Sequence, residues 1–306
     1  MQATARVVSF RPVDAVRSIA SISRVHIVVL AALTTLTFGW LFTGEHLWEV
    51  AGIAAFDWFA VSLLSRTTDL KEDAANRIPG VSFTARLRSL MRICSLALLC
   101  LSLGLFHAFE PSLTLVRVCF FLLAILYCFP LLPGRMRLKQ IYIVKNVGTA
   151  IGFMLTSFAY PLAKANWGFF GLPVGIEEMT LLAAGAFLFL FALAFEVMHD
   201  LAHAPGDATV GIESFPVMLG SDLAITIIDR LLAFAAIALV LGFATHFVPW
   251  RIVVMTIAPL AIIPIYKRSA RRGLPIEDVA LIGWIISAMM LTYHAWIFLR
   301  LPGVLA

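Results

Sequence analysis

The chain has 306 residues, of which 61% are hydrophobic and only 13% are charged. Soluble domains contain about 25% charged residues and about 45–50% apolar ones, so a soluble multi-domain enzyme is excluded, and so is a disordered chain. The apolar runs have the length of helices, not the roughly ten-residue alternating pattern of a membrane barrel. The net charge of +5 fits basic loops at a membrane surface, and we expect no nucleic-acid partner.

Nine apolar runs are long enough to cross a bilayer as helices, since about 20 residues suffice. They predict an all-α polytopic membrane protein with one bundle over residues 26–300, preceded by an N-terminal segment, 1–25. The predicted spans are 26–44, 48–65, 90–108, 112–132, 141–162, 179–199, 222–245, 248–266 and 278–299.

The basic residues predict the orientation of the bundle. With the N-terminus inside, most of the 23 Lys and Arg residues fall on the inner side, whereas Lys164, Arg251 and Arg300 fall outside. Cytoplasmic loops are enriched in Lys and Arg. We therefore expect an integral protein of the cell inner membrane with a cytoplasmic N-terminus and a polar cap on that side.

Two acidic clusters follow even-numbered spans and so lie at the same depth. The first is SRTTDLKED, with Ser65, Asp69 and Asp73 at spacings of four residues. The second is EVMHDLAHAPGD, and its polar residues lie on one face if the helix continues past Pro205 and Gly206. These residues are Glu196, Asp200, His203 and Asp207. From His199 to Ser221 there is no Lys or Arg to neutralise the acids, which favours a bound cation.

A basic segment lies between the two acidic clusters in the sequence. It is LYCFPLLPGRMRLKQIYIVKN, and it carries Arg135, Arg137, Lys139 and Lys145 to the same side. Carboxylates hold Mg²⁺ that bridges to substrate phosphates, while Arg and Lys bind the remaining phosphate oxygens. Together the three segments predict a magnesium–diphosphate site.

These three segments, in this order, resemble the UbiA-type intramembrane prenyltransferase family, over about residues 30–300. The family's first motif, N-x-x-x-D-x-x-x-D, is matched by Ser65, Asp69 and Asp73. Its second motif resembles DLAHAPGDATVGIESFPVMLG, and its middle segment resembles the basic stretch. There are two departures: Ser65 stands where Asn is usual, and His203 stands where the second Asp is usual.

The resemblance implies an enzyme that transfers a prenyl group from a prenyl diphosphate to a lipophilic acceptor, most often an aromatic ring. Magnesium would lie on the catalytic acids, and the bases together with Ser65 would bind the diphosphate. The implied magnesium ligands are Asp69, Asp73, Asp200 and Asp207. The implied diphosphate ligands are Lys139, Lys145, Arg135, Arg137 and Ser65. The apolar bundle would keep water from the allylic cation.

Three further residues are candidates for binding the acceptor or supporting the acids: Asp57, Glu196 and His203. Asp57 lies inside the second span, about 12 Å deeper than Ser65 by helix rise. A carboxylate at that depth either acts on substrate or pairs with a base such as Arg92, Arg117 or Arg230.

Other functions remain open at this point. A membrane terpene cyclase on the same scaffold would ionise the same diphosphate and close the cation on its own chain. A transporter would place its acids near the midplane, between broken helices, and a scaffold would have no activity. The prenyl length, the acceptor and the oligomeric state are not determined by the sequence.

Overall fold

The computed structural model describes residues 18–165 and 177–301, and every regular element in these ranges is helical. Most of the predicted segment 1–25, and most of the connection at 163–178, lie outside the described residues. The first half contains α1 (Val25–Thr43), α2 (Trp48–Thr68), α3 (Leu70–Ala75), α4 (Val81–Arg86), α5 (Arg88–Phe109), α6 (Thr114–Cys128), α7 (Val144–Phe153) and α8 (Tyr160–Lys164). The second half contains α9 (Glu178–Thr209), α10 (Phe215–Leu219), α11 (Ser221–Ala244), α12 (Trp250–Val253), α13 (Ile257–Ala270) and α14 (Ile276–Phe298).

Within the described ranges, eight helical segments are long and apolar enough to cross a membrane. This confirms the predicted all-α polytopic architecture. The remaining predicted span, 141–162, is present as α7, a π-helical segment Met154–Ala159 and α8. Pro161 lacks an N–H and its ring crowds the preceding turn, which explains why the helix widens there.

The helix α9 differs from the predicted span 179–199 because it extends ten residues further, to Thr209. Pro205 and Gly206 lie inside this helix and do not end it. The N–H of Gly206 donates to the side-chain oxygen of Asn76 at 3.0 Å, so a neighbouring segment satisfies the backbone beside the proline. The extension keeps the second acidic cluster on one continuous helix.

The bundle is organised around α9, which packs against α11, α7, α14 and the short α3. The helix α1 packs between α2 and α14. Residues such as Phe38, Leu64 and Met198 are buried between these helices, whereas large apolar residues such as Leu101 and Phe109 are exposed on the outside. An apolar outer surface is what contact with lipid requires.

Candidate active site

A cavity of about 340 Å³ lies at one end of the bundle, which we call the polar end. It is enclosed by the ends of α1, α2, α9 and α14, by α3, α6 and α7, and by residues 20–24 before α1. Both acidic clusters open into it. The predicted site residues that line it are Ser65, Asp69, Asp73, Lys139, Lys145, Glu196, Asp200, His203 and Asp207. The tertiary fold thus joins segments more than 130 positions apart in the sequence.

Asp69 is the centre of the first cluster. It follows the last residue of α2, and its carboxylate accepts hydrogen bonds from Ser65 at 2.8 Å and from Lys139 at 2.6 Å. A guanidinium nitrogen of Arg137 lies 3.3 Å from the same carboxylate. Burial by itself raises the pKa of Asp69, but the ammonium of Lys139 and its hydrogen bond outweigh burial and hold that pKa well below its usual range. Asp69 is therefore ionised throughout the physiological pH range.

The other two acids of the first cluster also carry basic partners. Glu72 forms ion pairs with Lys139 and, at 2.9 Å, with Arg137. Asp73 accepts a hydrogen bond from Arg66 at 2.8 Å. The acids of this cluster are thus preassembled around charged nitrogen atoms, as a site that binds ionic ligands requires.

Lys145 connects the two acids of the second cluster. Its Nζ lies 2.6 Å from Asp200 and 2.7 Å from Asp207. Asn146, the next residue of α7, donates to Asp200 at 2.7 Å. Because Lys145 and Asn146 belong to the first turn of α7, that helix start fixes the carboxylates on α9.

The two clusters are joined directly by hydrogen bonds of Asn76 to the backbone of Gly206 and His203, which we call the clasp. Asn76, which follows α3, accepts a hydrogen bond from the N–H of Gly206 at 3.0 Å and donates to the carbonyl of His203 at 3.4 Å. A Cβ at position 206 would lie 2.2 Å from the side-chain nitrogen of Asn76. Only glycine allows this approach, which holds the acidic segments of α3 and α9 together.

Three histidines stack along one wall of the cavity. The ring of His199 lies 6.2 Å from that of His26 and 5.9 Å from that of His203. The Nδ1 of His203 lies 2.8 Å from the carbonyl oxygen of His199, so this nitrogen donates to the backbone of its own helix. The ring of His203 is thus tied to the backbone of α9.

Aromatic side chains close the inner end of the cavity. The ring centre of Trp58 lies 4.5 Å from that of Phe153 and 5.4 Å from that of Phe120, and both pairs of rings are tilted towards each other. The indole N–H donates to Thr156 of the π-helical segment at 2.9 Å. A second cavity of about 390 Å³ begins beyond this wall, and its lining is almost entirely apolar, with residues such as Leu30, Phe187 and Met290.

Three predicted site residues do not line the cavity. Arg137 is one of them, although it pairs with the lining residues Asp69 and Glu72. Arg135 is exposed and does not line the cavity. Asp57 is fully buried outside it, where Arg117 donates to both carboxylate oxygens, at 2.7 and 2.9 Å, and Tyr160 donates at 2.8 Å. Arg117 also donates to Ser102. Of the two roles that the sequence left open for Asp57, the structure shows the ion pair with a basic residue, here Arg117. Asp57 does not line the cavity.

The donor set of the cavity fits Mg²⁺. The carboxylate residues that line it outnumber the basic ones, seven against four, and hard oxygen ligands are those that Mg²⁺ prefers. Within the described ranges, no three His, Cys, Asp or Glu side chains converge closely enough to hold an ion by themselves. This arrangement suits an ion held by one or two carboxylates, with substrate phosphates supplying further oxygens.

Sequence reasoning missed several residues of the site. Glu72 belongs to the acidic run that was recognised, three residues after Asp69, and this helical spacing could have identified it. Arg66 lies seven residues, about two helical turns, before its partner Asp73, so its spacing also offered a signal. Asn76 and Asn146 offered no such signal because their partners are distant in sequence. Residues 20–24, before α1, were also missed. The structure brings them to the site, where Arg66 donates to the carbonyl oxygen of Ser21 at 2.8 Å.

Comparison with known proteins finds relatives only at the level of three-dimensional structure. No protein-family model and no curated protein sequence matches the chain. A UbiA homologue from Archaeoglobus fulgidus bound to DMAPP and Mg²⁺ superposes with a TM-score of 0.67, at 16% identity, over 90% of this chain and 97% of the other. The same homologue bound to GPP and Mg²⁺ gives a TM-score of 0.65, at 18% identity, over 90% and 96%.

A third structure, of digeranylgeranylglyceryl phosphate synthase, gives a TM-score of 0.55 at 14% identity. It covers 91% of this chain and 95% of the other. The similarity thus extends over nearly the whole of each chain. The chain has the UbiA-type intramembrane prenyltransferase fold.

Proposed function

We propose that the protein is a magnesium-dependent intramembrane prenyltransferase that moves a prenyl group from its diphosphate to a lipophilic acceptor, an aromatic ring being the expected class. One observation carries the proposal. One cavity joins two clusters of buried carboxylates with Lys139 and Lys145, and an apolar cavity adjoins it. Such a site suits a substrate with an ionic head and a hydrocarbon tail. The ligands of the Archaeoglobus structures, DMAPP and GPP with Mg²⁺, have this chemistry.

The acids and bases of the cavity have complementary roles in this proposal. Asp69, Asp73, Asp200 and Asp207 would hold Mg²⁺, which supplies positive charge to the diphosphate oxygens. Lys139 and Lys145 then exchange their carboxylate partners for diphosphate oxygens and stabilise the charge of the departing group. Ser65 and Arg137 support this arrangement through Asp69.

The inner wall of the cavity protects the carbon that loses the diphosphate. When the C–O bond breaks, the electron pair leaves with the diphosphate and an allylic cation remains. Trp58, Phe120 and Phe153 exclude water from it and offer ring faces that stabilise positive charge. Attack by the acceptor forms the new bond, and the acceptor then loses a proton. Glu196 and His203 line the same cavity and are our candidates for contacting the acceptor.

The cellular setting follows from the same proposal. The apolar helices place the protein in a membrane, and the basic loops favour the inner membrane with the N-terminus and the polar end in the cytoplasm. The water-soluble diphosphate head would then enter from the cytoplasm, while prenyl tail and acceptor share the lipid phase. Residues 26–300 would act as one bundle, and Ala20, Ser21 and Arg24 before it contribute to the lining of the site.

The test uses purified full-length protein in detergent or nanodiscs with Mg²⁺ and diphosphates of two to four isoprene units. Diphosphate release is measured with and without aromatic and alcohol acceptors, and EDTA serves as the metal control. Release that requires both Mg²⁺ and an acceptor supports transfer. Release without acceptor, together with a cyclic hydrocarbon product, would establish the cyclase instead. No magnesium-dependent turnover with any prenyl chain would overturn the proposal.

A further inference from the structure

The two cavities lie in series along three helices. On α9, the polar cavity ends at Glu196 and the apolar cavity begins at Phe195. On α1 the last polar-cavity residue is Ile27 and the first apolar-cavity residue is Leu30. On α14 the same change takes place between positions 284 and 286. The apolar cavity is therefore a deeper continuation of the polar one.

Phe153 is the residue that lines both cavities within the described ranges. Its side chain is buried, and its ring lies between the two spaces against Trp58, at 4.5 Å. Trp58 cannot easily turn away because its N–H is bonded to Thr156. Phe153 is also the last residue of α7 before the π-helical segment. The ring of Phe153 thus forms a partition between the two cavities, and the hydrogen-bonded indole of Trp58 packs against one side of it.

We propose that Phe153 determines how long a prenyl chain the protein accepts, an inference that rests on the proposed function. A helix rise of 1.5 Å per residue places Phe195, at the partition, about 8 Å from Asp200 and about 18 Å from Asp207 along α9. With carbon–carbon bonds of about 1.5 Å, an isoprene unit of four bonds spans roughly 5 Å. A tail of two units therefore ends near the partition, and a tail of four units must displace the ring of Phe153.

The substitution Phe153→Ala joins the two cavities and tests this role. In the wild type, we expect kcat/KM to be lower with geranylgeranyl diphosphate than with geranyl diphosphate. In the variant, the kcat/KM for geranylgeranyl diphosphate divided by that for geranyl diphosphate, which we call the chain-length ratio, should rise roughly tenfold or more. Phe153→Trp should lower the same ratio. If Phe153→Ala does not fold, Phe153→Leu shortens the ring with less loss of volume and should change the ratio in the same direction.

Phe158→Ala is the matched control. Phe158 lies five positions further along the same span, is also buried, and packs against Phe38 and Phe42 without lining either cavity. Its removal costs comparable packing but should change the chain-length ratio less than about threefold. A merely structural role for Phe153 would make the two alanine variants behave alike.

Thermal stabilisation by the same diphosphates gives a second readout that does not depend on turnover. We expect geranylgeranyl diphosphate to stabilise Phe153→Ala more than wild type, and geranyl diphosphate to stabilise both equally. Turnover by wild type with an unchanged chain-length ratio in every Phe153 variant would overturn this inference and leave the proposed function standing. No turnover and no stabilisation with any diphosphate would overturn both.

Discussion

In the part of the chain that the structure describes, the buried Asp, Glu, Lys and Arg residues form two groups, and these groups differ in what surrounds them. The carboxylates at the polar end line a cavity, and their lysine partners lie beside open space. Asp57 and Arg117 form a pair that is enclosed by Tyr160, Ser102 and aromatic rings, and neither residue lines a described cavity. A charge buried within a membrane protein is thus not in itself a sign of a functional site. What distinguishes the candidate site is adjoining space for a ligand.

The largest effect on activity is expected when one negative charge is removed from the cavity. Asp69→Asn keeps the shape of the side chain but removes a proposed metal ligand and its negative charge. We expect turnover per folded molecule to fall by at least about a hundredfold. The thermal unfolding temperature should fall less than for the enclosed pair described next, because Lys139 keeps its ion pair with Glu72. Asp222→Asn, in the exposed first turn of α11, is the matched control and should keep its rate. Near-normal turnover in Asp69→Asn would refute the metal assignment.

The converse experiment breaks the enclosed pair. Arg117→Met leaves Asp57 without its base, and loss of one partner from a buried pair costs about 3–5 kcal/mol of unfolding free energy. We expect a large drop in thermal stability, with the rate per folded molecule little affected. The double variant Asp57→Leu/Arg117→Met leaves no unpaired charge and should recover much of the loss. A variant that folds stably but loses activity would instead place Asp57 in the reaction.

The clasp between the two acidic clusters gives a smaller effect. In Gly206→Ala, the new Cβ collides with Asn76, and the clusters move apart. We expect kcat to fall by about tenfold, since small displacements of catalytic groups are costly. Adding Asn76→Ala removes the collision and should restore part of the rate. Gly52→Ala, in a helix with open space around the new Cβ, controls for the effect of the methyl group. Equal rates in both glycine variants would show that the clasp is not needed.

The smallest effect concerns the residue that departs from the family motif. His203→Asp removes the hydrogen bond to the backbone of α9 and adds a carboxylate near Asp207, in a cavity that is already acidic. We expect the rate to change by less than about threefold, because like charges in one site oppose each other. Rates measured over a range of Mg²⁺ concentrations check this, and a large gain in rate would show that the departure impairs the enzyme.

Much of this protein was determined by local sequence patterns. Runs of apolar residues as long as the bilayer is thick require helices, because a backbone in lipid must satisfy its own hydrogen bonds. The four-residue spacing of Asp69 and Asp73 likewise predicts that both lie on one helical face. Asp69 stands between α2 and α3, but the N–H of Asp73 still donates to its carbonyl oxygen at 2.8 Å, as in a helix. These features depend on neighbours in the chain, so they can be read without a structure, and the all-α architecture was predicted correctly.

Only the tertiary structure decided which charges meet. Lys145 pairs with acids more than 50 positions away, Asn76 meets Gly206 across 130 positions, and Arg117 rather than Arg92 or Arg230 pairs with Asp57. The position of Phe153 between the two cavities likewise depends on how α7 lies against α6 and α9. Helix periodicity fixes the face on which a residue lies but not the helix that this face will meet. That choice depends on packing among all the spans at once.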